Sequence, residues 1–423
     1  MGLRVAVIGD PHFALDLEPG GRSVSHIRVN EHGCFKENSA INNPWVGLRQ
    51  LVEEKVLTSD LLLCVGDITT HANPTALKAG WNHLQDIGAS LAVSNIACAT
   101  GNHDVASRGT EKEIRVNPVR GLSSVIGPIE QLKLLAPPYP ITDALRPGQE
   151  NSDKLLRAKK NRSSYFGDNF VLAEYENYRL VVLNSCGEHS NEVHQYERGT
   201  FPQSSRLALK EALGLANDDG RINLLVCHHP PMTHSELNLG AHDHIEGGEE
   251  ILAMLEEHGS WLLIHGHKHH ARINFAAGSS GAAIVFSAAS IGAYLNVNEP
   301  GIRNQFYILD LQDVDGRLTG TVSAWDWNVG IGWRESTPKG GGVFYGCGLG
   351  LPGSIDVMAT EIAKSVDGSG SIKWSKLVAS MPNLRFASPR DLAIMEKRLS
   401  QRYKIIVEVD DDGYWDDLFK GNP

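Results

Sequence analysis

Five polar motifs, each set directly behind an apolar run, constrain this chain more than any other feature. Residues 3–8 are apolar apart from Arg4 and lead into Gly9-Asp10-Pro11-His12. Residues 61–65 close on Gly66-Asp67, and residues 94–100 close on Gly101-Asn102-His103-Asp104. Residues 222–227 close on His228-His229-Pro230-Pro231, and residues 261–264 on His265-Gly266-His267-Lys268-His269. Short apolar runs bounded by Gly and Pro read as buried strands. A sixth run, 283–286, is followed by Ser287-Ala288-Ala289-Ser290, which could cross the floor of a site or permit close packing.

Between the runs, residues 46–57, 76–91, 204–215 and 249–257 carry apolar side chains near the helical period. Strands alternating with helices predict a layered α/β domain with loops converging at the strand ends. Residues 163–166, 170–175, 179–183, 271–275, 305–311 and 318–325 read as flanking antiparallel strands. The fold expected is a four-layer αββα sandwich of two mixed β-sheets flanked by helices. The polar segment 19–44 could cover the mouth of a site, and the Pro-rich stretch 137–162 reads as a surface excursion.

A composition change at Thr337-Pro338-Lys339-Gly340-Gly341-Gly342 reads as a linker. It divides a catalytic domain, 1–336, from a small α+β accessory unit, 346–423. In that unit 355–366 reads as a helix, and Ser388-Pro389-Arg390-Asp391 is a helix start with cap, Pro and acid in place. A strand follows at 403–409, and the acidic end Asp410 to Asp412, Asp416 and Asp417 reads as a solvated terminus.

The donors at the strand ends are carboxylate, carboxamide and imidazole. Such groups suit divalent transition ions, and two adjacent ions need a bridging oxygen. In an extended strand end, residues i and i+2 face the same way, which would let His267 and His269, or Asp10 and His12, reach one site together. Either His228 or His229 could point inward. Asp-x-His or Gly-Asp alone is noise; five motifs in this order, each behind a strand, are not.

The pattern resembles the calcineurin-like metallophosphoesterase superfamily over roughly residues 3 to 325. Within it, the chain looks closest to bacterial phosphodiesterase-like members, through Asn184-Ser185, the helix start near Pro202-Gln203-Ser204, and the His-His-Pro-Pro block. The resemblance implies that Asp10, His12 and His269 hold one metal, that Asp67 bridges, and that Asn102, His228 and His267 hold the second. It favours His228 over His229. His103 would stand beside the leaving oxygen with Asp104 orienting its ring. The implied reaction is in-line attack of a metal-bridging hydroxide on a phosphate ester. The substrate expected is a small phosphodiester, with a cyclic nucleotide as first guess. A DNA or RNA nuclease, or a partner-directed protein or monoester phosphatase, is the alternative. Oxygen and nitrogen donors without thiolate suit Mn, Fe or Zn, and the resemblance favours Mn or a mixed Fe pair.

His71, Asn73, Arg108, His242 and His244 stand near these motifs and are candidate substrate contacts. Trp325, Trp327 and Trp333 read as core or interface packing, with base stacking as the alternative. His265 and His270 read as packing or solvent-facing. The formal net charge is -11, from 39 basic and 50 acidic residues, which disfavours general nucleic-acid binding. Six scattered Cys with no C-x-x-C pair read as reduced thiols, mostly buried. No apolar stretch of membrane-spanning length occurs, and residues 3–8 are too short for a signal peptide. A cytoplasmic enzyme with a small phosphate-ester substrate is expected, with the accessory unit available to a protein partner.

Overall fold

The computed structural model describes residues 2–15, 24–105, 130–143, 152–189, 197–216, 220–233, 243–276, 283–295 and 301–421. Two mixed β-sheets stack face to face. The first has eight strands, with Gly2–Ile8, Leu61–Cys64 and Asn95–Cys98 parallel at its centre. Asn304–Val314, Arg317–Asn328 and Gly332–Glu335 extend it antiparallel beyond Gly2–Ile8, and Ile141–Asp143 closes the other edge. The second has six strands, with Tyr178–Leu183, Ile222–Val226, Trp261–His265 and Ile284–Ser287 parallel and antiparallel strands at both edges.

Period-two alternation builds the layers. Leu180, Val182, Leu224, Val226, Leu262 and Ile264 join the core between the sheets. Their neighbours Val181, Leu183, Leu225 and Leu263 face the other way, onto helices Gln203–Leu215 and Gly248–Glu256. Helices Pro44–Glu54 and Pro74–Ser90 cover the outer face of the first sheet through Trp45, Leu48, Leu84 and Ile87. Each begins at an Asn whose side chain accepts two backbone N–H groups, with Pro at the first position. The four-layer αββα sandwich is therefore present.

The C-terminal unit packs three helices against a three-stranded sheet around its own apolar cluster, which includes Ile362, Leu377, Met395 and Leu418. Ser388 opens helix Pro389–Tyr403 with a complete capping box to Asp391.

Two expectations fail. Residues 163–166 are not a strand but the last turns of helix Ser152–Asp168, which buries Ala158 and Tyr165 seven residues apart on one face. The stretch 137–162 is correspondingly not a plain excursion, since it contributes strand Ile141–Asp143 and most of that helix. The acidic terminus leaves Asp410, Asp411, Asp412 and Asp416 exposed, as expected, yet it forms part of a sheet. Trp415–Lys420 is the central strand of the small sheet, with Lys373 Nζ 2.9 Å from Asp416 and 3.6 Å from Asp417. Trp325 and Trp327 are buried, and the indole N–H of Trp333 donates to the Pro44 carbonyl, so this cluster is packing. All six Cys are free thiols, Cys34 exposed and the rest buried. No helix among the described residues is long and apolar enough to cross a membrane.

Candidate metal centre

Strand ends from both sheets deliver the polar motifs to one place. The chain does not stay extended there. Asp10, His12, Asp67, His267 and His269 all have positive φ, between 32° and 75°. The shared parity expected of i and i+2 residues is thus not what brings His267 and His269 inward; tight left-handed turns do. Such backbone costs of order 1–3 kcal/mol per residue and persists only where the surroundings enforce it. The motif glycines explain part of that enforcement. A Cβ at Gly101 would collide with the amide and carboxylate of Asp67, and one at Gly266 with the carboxylate of Asp10.

The side chains form two clusters that share Asp67. In one, His12, Asp67 and His269 bring a ligand atom each within 4.8 Å of one another; in the other, Asp10, Asp67 and His228 do. His12 Nε2 and His269 Nε2 lie 3.0 Å apart. His12 Nε2 is 3.6 Å from Asp67 Oδ2, and His269 Nε2 is 3.6 Å from Asp10 Oδ2. His228 Nε2 is 3.5 Å from Asp67 Oδ2 and 3.1 Å from Asn102 Oδ1. Asp10, Asp67, Asn102 and His228 are all buried.

The donor set fits cations. His228 Nδ1–H donates to the Val65 carbonyl at 3.0 Å, which leaves a lone pair on Nε2. That lone pair faces two oxygens, an arrangement that repels itself unless a positive charge sits among them. Asp10 Oδ1 and His267 Nε2 are buried with no hydrogen-bond partner among the described residues. Burial and the neighbouring Asp67 push the Asp10 carboxyl well above its usual range. Burial and neighbouring histidines hold His267 well below its usual value, and burial, His228 and Lys268 bring His269 down to about 3. Imidazoles kept neutral offer their lone pairs to a divalent ion, and the charge of a bound ion would offset the cost of ionising the buried carboxyls.

His103 lies at the rim of this cluster. Its backbone N–H donates to Asp67 Oδ1 at 2.8 Å, and its ring meets His12 edge-on at 5.1 Å and His71 at 5.9 Å. Asp104 accepts from the backbone N–H groups of Thr69 (3.0 Å) and Gly101 (2.9 Å). These bonds make it a brace between the Gly66-Asp67 and Gly101-Asn102 loops. Burial and Asp67 raise its carboxyl well above the usual range.

Among the candidate substrate contacts, His71 is drawn in beside His103. The Asn73 side-chain oxygen caps helix Pro74–Ser90. Arg108 and His242 lie outside the described residues, and His244 is half-buried. His265 and His270 are buried packing residues. Ser290 Oγ donates to the Asp10 carbonyl at 2.7 Å, so the Ser287–Ser290 run does pass beneath the first motif.

Three further residues take part that the candidate residues named from the sequence do not include. Asp243 pairs with Lys268 and stands 3.8 Å from His267 Nε2. Tyr165 holds Thr100, just ahead of Gly101-Asn102. Ser185 holds the His229 ring at 2.8 Å. Asp243 carried a signal in the run His242-Asp243-His244, and Ser185 one in the Asn184-Ser185 and His228-His229 pairs; Tyr165 carried none.

A family model described as calcineurin-like phosphoesterase matches residues 3–271. A second, labelled as a calcineurin-associated wHTH, matches residues 347–401. None of the curated proteins compared with the chain matches it. Similar solved structures include a dimetal phosphatase from Danio rerio, 15% identical, covering 76% of this chain and 95% of that one at a TM-score of 0.45. They include a phosphopantetheinyl hydrolase from Mycobacterium tuberculosis, 11% identical, covering 68% and 89% at 0.30. A metallophosphoesterase from Sphaerobacter thermophilus is 10% identical and covers 86% and 94% at 0.27. The chain belongs to the calcineurin-like phosphoesterase family. Its clusters suit two divalent ions, and fold and clusters together support metal-dependent phosphoesterase activity.

Proposed function

We propose that the protein hydrolyses a small phosphodiester with two divalent ions, Mn first among the candidates, in the manner of bacterial phosphodiesterase-like members of the family. Asp10, His12 and His269 would hold one ion, Asn102, His228 and His267 the other, and Asp67 both. The observation that carries the reading is that buried Asp67 belongs to both ligand clusters, with Asp10 reaching His228 at 3.5 Å and His269 at 3.6 Å. When bound, the ions supply Lewis acidity and a nucleophile active near neutral pH.

The chain's own residues do the rest. Asp67 is fixed by the His103 amide, and His228 by the Val65 carbonyl, so neither reorganises during turnover. His103 stands at the rim, where a ring N–H can protonate a departing alkoxide. Asp104 keeps the loops that carry Asp67 and Asn102 at a fixed spacing.

One observation favours a second reading, a polynucleotide substrate. Helix Ser152–Asp168 exposes Lys154, Arg157, Lys159 and Lys160 on an otherwise acidic protein, and its Tyr165 hydroxyl bonds Thr100 beside the proposed centre. A turnover panel on the Mn-reconstituted protein separates the readings. It compares cyclic nucleotides, an aryl phosphodiester, a phosphomonoester, single-stranded DNA and single-stranded RNA, with Asp67→Ala as control. Asp67-dependent cleavage of a small diester is expected. Cleavage confined to polynucleotide, weakening steeply with salt, would replace the first reading by the second. No cleavage of any ester by protein holding two ions would overturn both.

A further inference from the structure

The His-His pair at the end of strand Ile222–Val226 leaves one imidazole without a task. His228 faces Asn102 and Asp67. His229 is also fully buried. Its ring lies 5.0 Å from that of His228 and 4.5 Å from that of His267. One ring nitrogen from each of these three histidines falls in a group spanning no more than 4.8 Å.

Hydrogen bonding favours one tautomer of the ring. Nδ1 is 2.8 Å from Ser185 Oγ. Ser185 is completely buried, and its oxygen already accepts the backbone N–H of His229 at 3.3 Å. The buried hydroxyl proton needs an acceptor, and Nδ1 is at the right distance to be one. A neutral imidazole that accepts at Nδ1 carries its proton on Nε2. That Nε2 is buried and has no hydrogen-bond partner among the described residues. Gly199 passes so close that a side chain there would press on His229, and its bridge to Ile245 closes that wall. A buried N–H donor beside two proposed ligands is placed to meet an anionic acceptor bound at the same centre.

We propose that His229 is a further catalytic residue, whose Nε2–H donates to a non-bridging phosphoryl oxygen of the bound ester, with Ser185 as the positioning residue that holds its tautomer. This rests on the phosphoesterase reading of the centre. It gives the second histidine of the pair a role distinct from metal ligation, namely recognition of the tetrahedral phosphate oxyanion.

The test uses the full chain as wild type, His229→Leu, His229→Gln and Ser185→Ala. It measures bound metal per chain, inorganic phosphate affinity of the metal-loaded protein by calorimetry, kcat on an aryl phosphodiester, and the His229 tautomer by nitrogen NMR of metal-free protein. Expected are unchanged metal content in all variants and weaker phosphate binding in His229→Leu. A kcat loss on the order of 100-fold should accompany it, as for removal of one oxyanion donor. His229→Gln, which can place an amide N–H near the same point, should recover part of both. Ser185→Ala should show a mixed tautomer and a smaller loss. Loss of one metal in His229→Leu and His229→Gln alike would make His229 a ligand and overturn the proposal. Unchanged phosphate affinity with a correctly folded variant would reduce it to packing, with the same consequence. Should the wild type hydrolyse no ester, the phosphoesterase reading fails, while phosphate affinity and tautomer still decide the role of His229.

Discussion

At the scale of single residues, the centre depends on groups that hold loops as much as on groups that face the cavity. His103→Ala should lower kcat by about 10²–10⁴-fold while both metals stay bound, as expected for loss of a proton donor. Turnover at the wild-type rate with full metal content would remove His103 from the reaction. Tyr165 acts one step further out. Its hydroxyl accepts the Thr100 N–H and bonds the Thr100 hydroxyl, both at 2.9 Å, and Tyr139 meets the same hydroxyl at 3.0 Å. Tyr165→Phe would leave a buried backbone N–H unsatisfied, which costs about 1–3 kcal/mol. Its denaturation midpoint should fall by that equivalent, and kcat should fall with it, because Thr100 leads straight into Gly101-Asn102. An unchanged midpoint would mean that another group takes up the N–H. The ligand candidates were legible in the sequence because metal chemistry restricts residue type and each lies behind a strand. Tyr165 was not, since an aromatic residue 65 positions from its partner leaves no local pattern.

Secondary-structure elements were legible where periodicity was strong and flanking turns were sharp. The parallel strands and helices Pro44–Glu54 and Pro74–Ser90 meet both conditions. Helix Ser152–Asp168 meets neither. It is nearly all polar, and the Tyr165-Phe166 pair at its end carries strand propensity that packing overrides. Strand Trp415–Lys420 was hidden by its Asp pair, whose charges Lys373 offsets. The segment that enters helix Pro44–Glu54 has a pH dependence of its own. Burial and the nearby Arg28 bring His26 down to about 4, with its ring edge-on to Tyr294 at 4.1 Å and Trp327 at 4.9 Å. Above pH 6.5, His26 is neutral folded or unfolded and contributes nothing to pH dependence. As pH falls from 6.5 to about 4, only the unfolded chain takes up the proton, so stability is lost across that window. Because the ring is partly exposed, the loss is on the order of 1 kcal/mol after discounting for solvent screening. His26→Asn should lose correspondingly less stability between pH 7 and pH 4. Parallel stability curves for variant and wild type would show that His26 titrates normally.

Over the whole molecule, the two parts of the chain share more than a linker. Residues 1–336 and 346–423 read as separate units in the sequence because Gly340-Gly341-Gly342 interrupts all periodicity. Yet Cys347–Gly348 pairs with strand Arg317–Asn328 of the large sheet. Gly348 N–H donates to the Ala387 carbonyl at 2.9 Å, Gly350 N–H to that of Phe386 at 2.8 Å, and Gly348 approaches the Phe386 backbone too closely for any side chain. From the other side, Tyr414 Oη donates toward the carbonyls of Ser336 (3.2 Å) and Tyr345 (3.0 Å). We propose that residues 346–423 fold around their own cluster but serve as a clamp on the catalytic layers, with any protein partner meeting the outer face of that unit. Ending the chain at residue 345 would strip a strand from the large sheet and expose buried Phe344. The truncated protein should keep its metals and its turnover of a small diester, because no proposed ligand lies beyond His269. It should nevertheless unfold at a lower denaturant concentration and associate at high protein concentration, through the uncovered edge and apolar surface. Sedimentation and denaturation of the truncated and full chains check this together. A monomer with the full-length midpoint would make the unit an independent appendage; loss of metal binding would make it part of the catalytic core. Retained turnover with a lowered midpoint is the outcome the clamp requires.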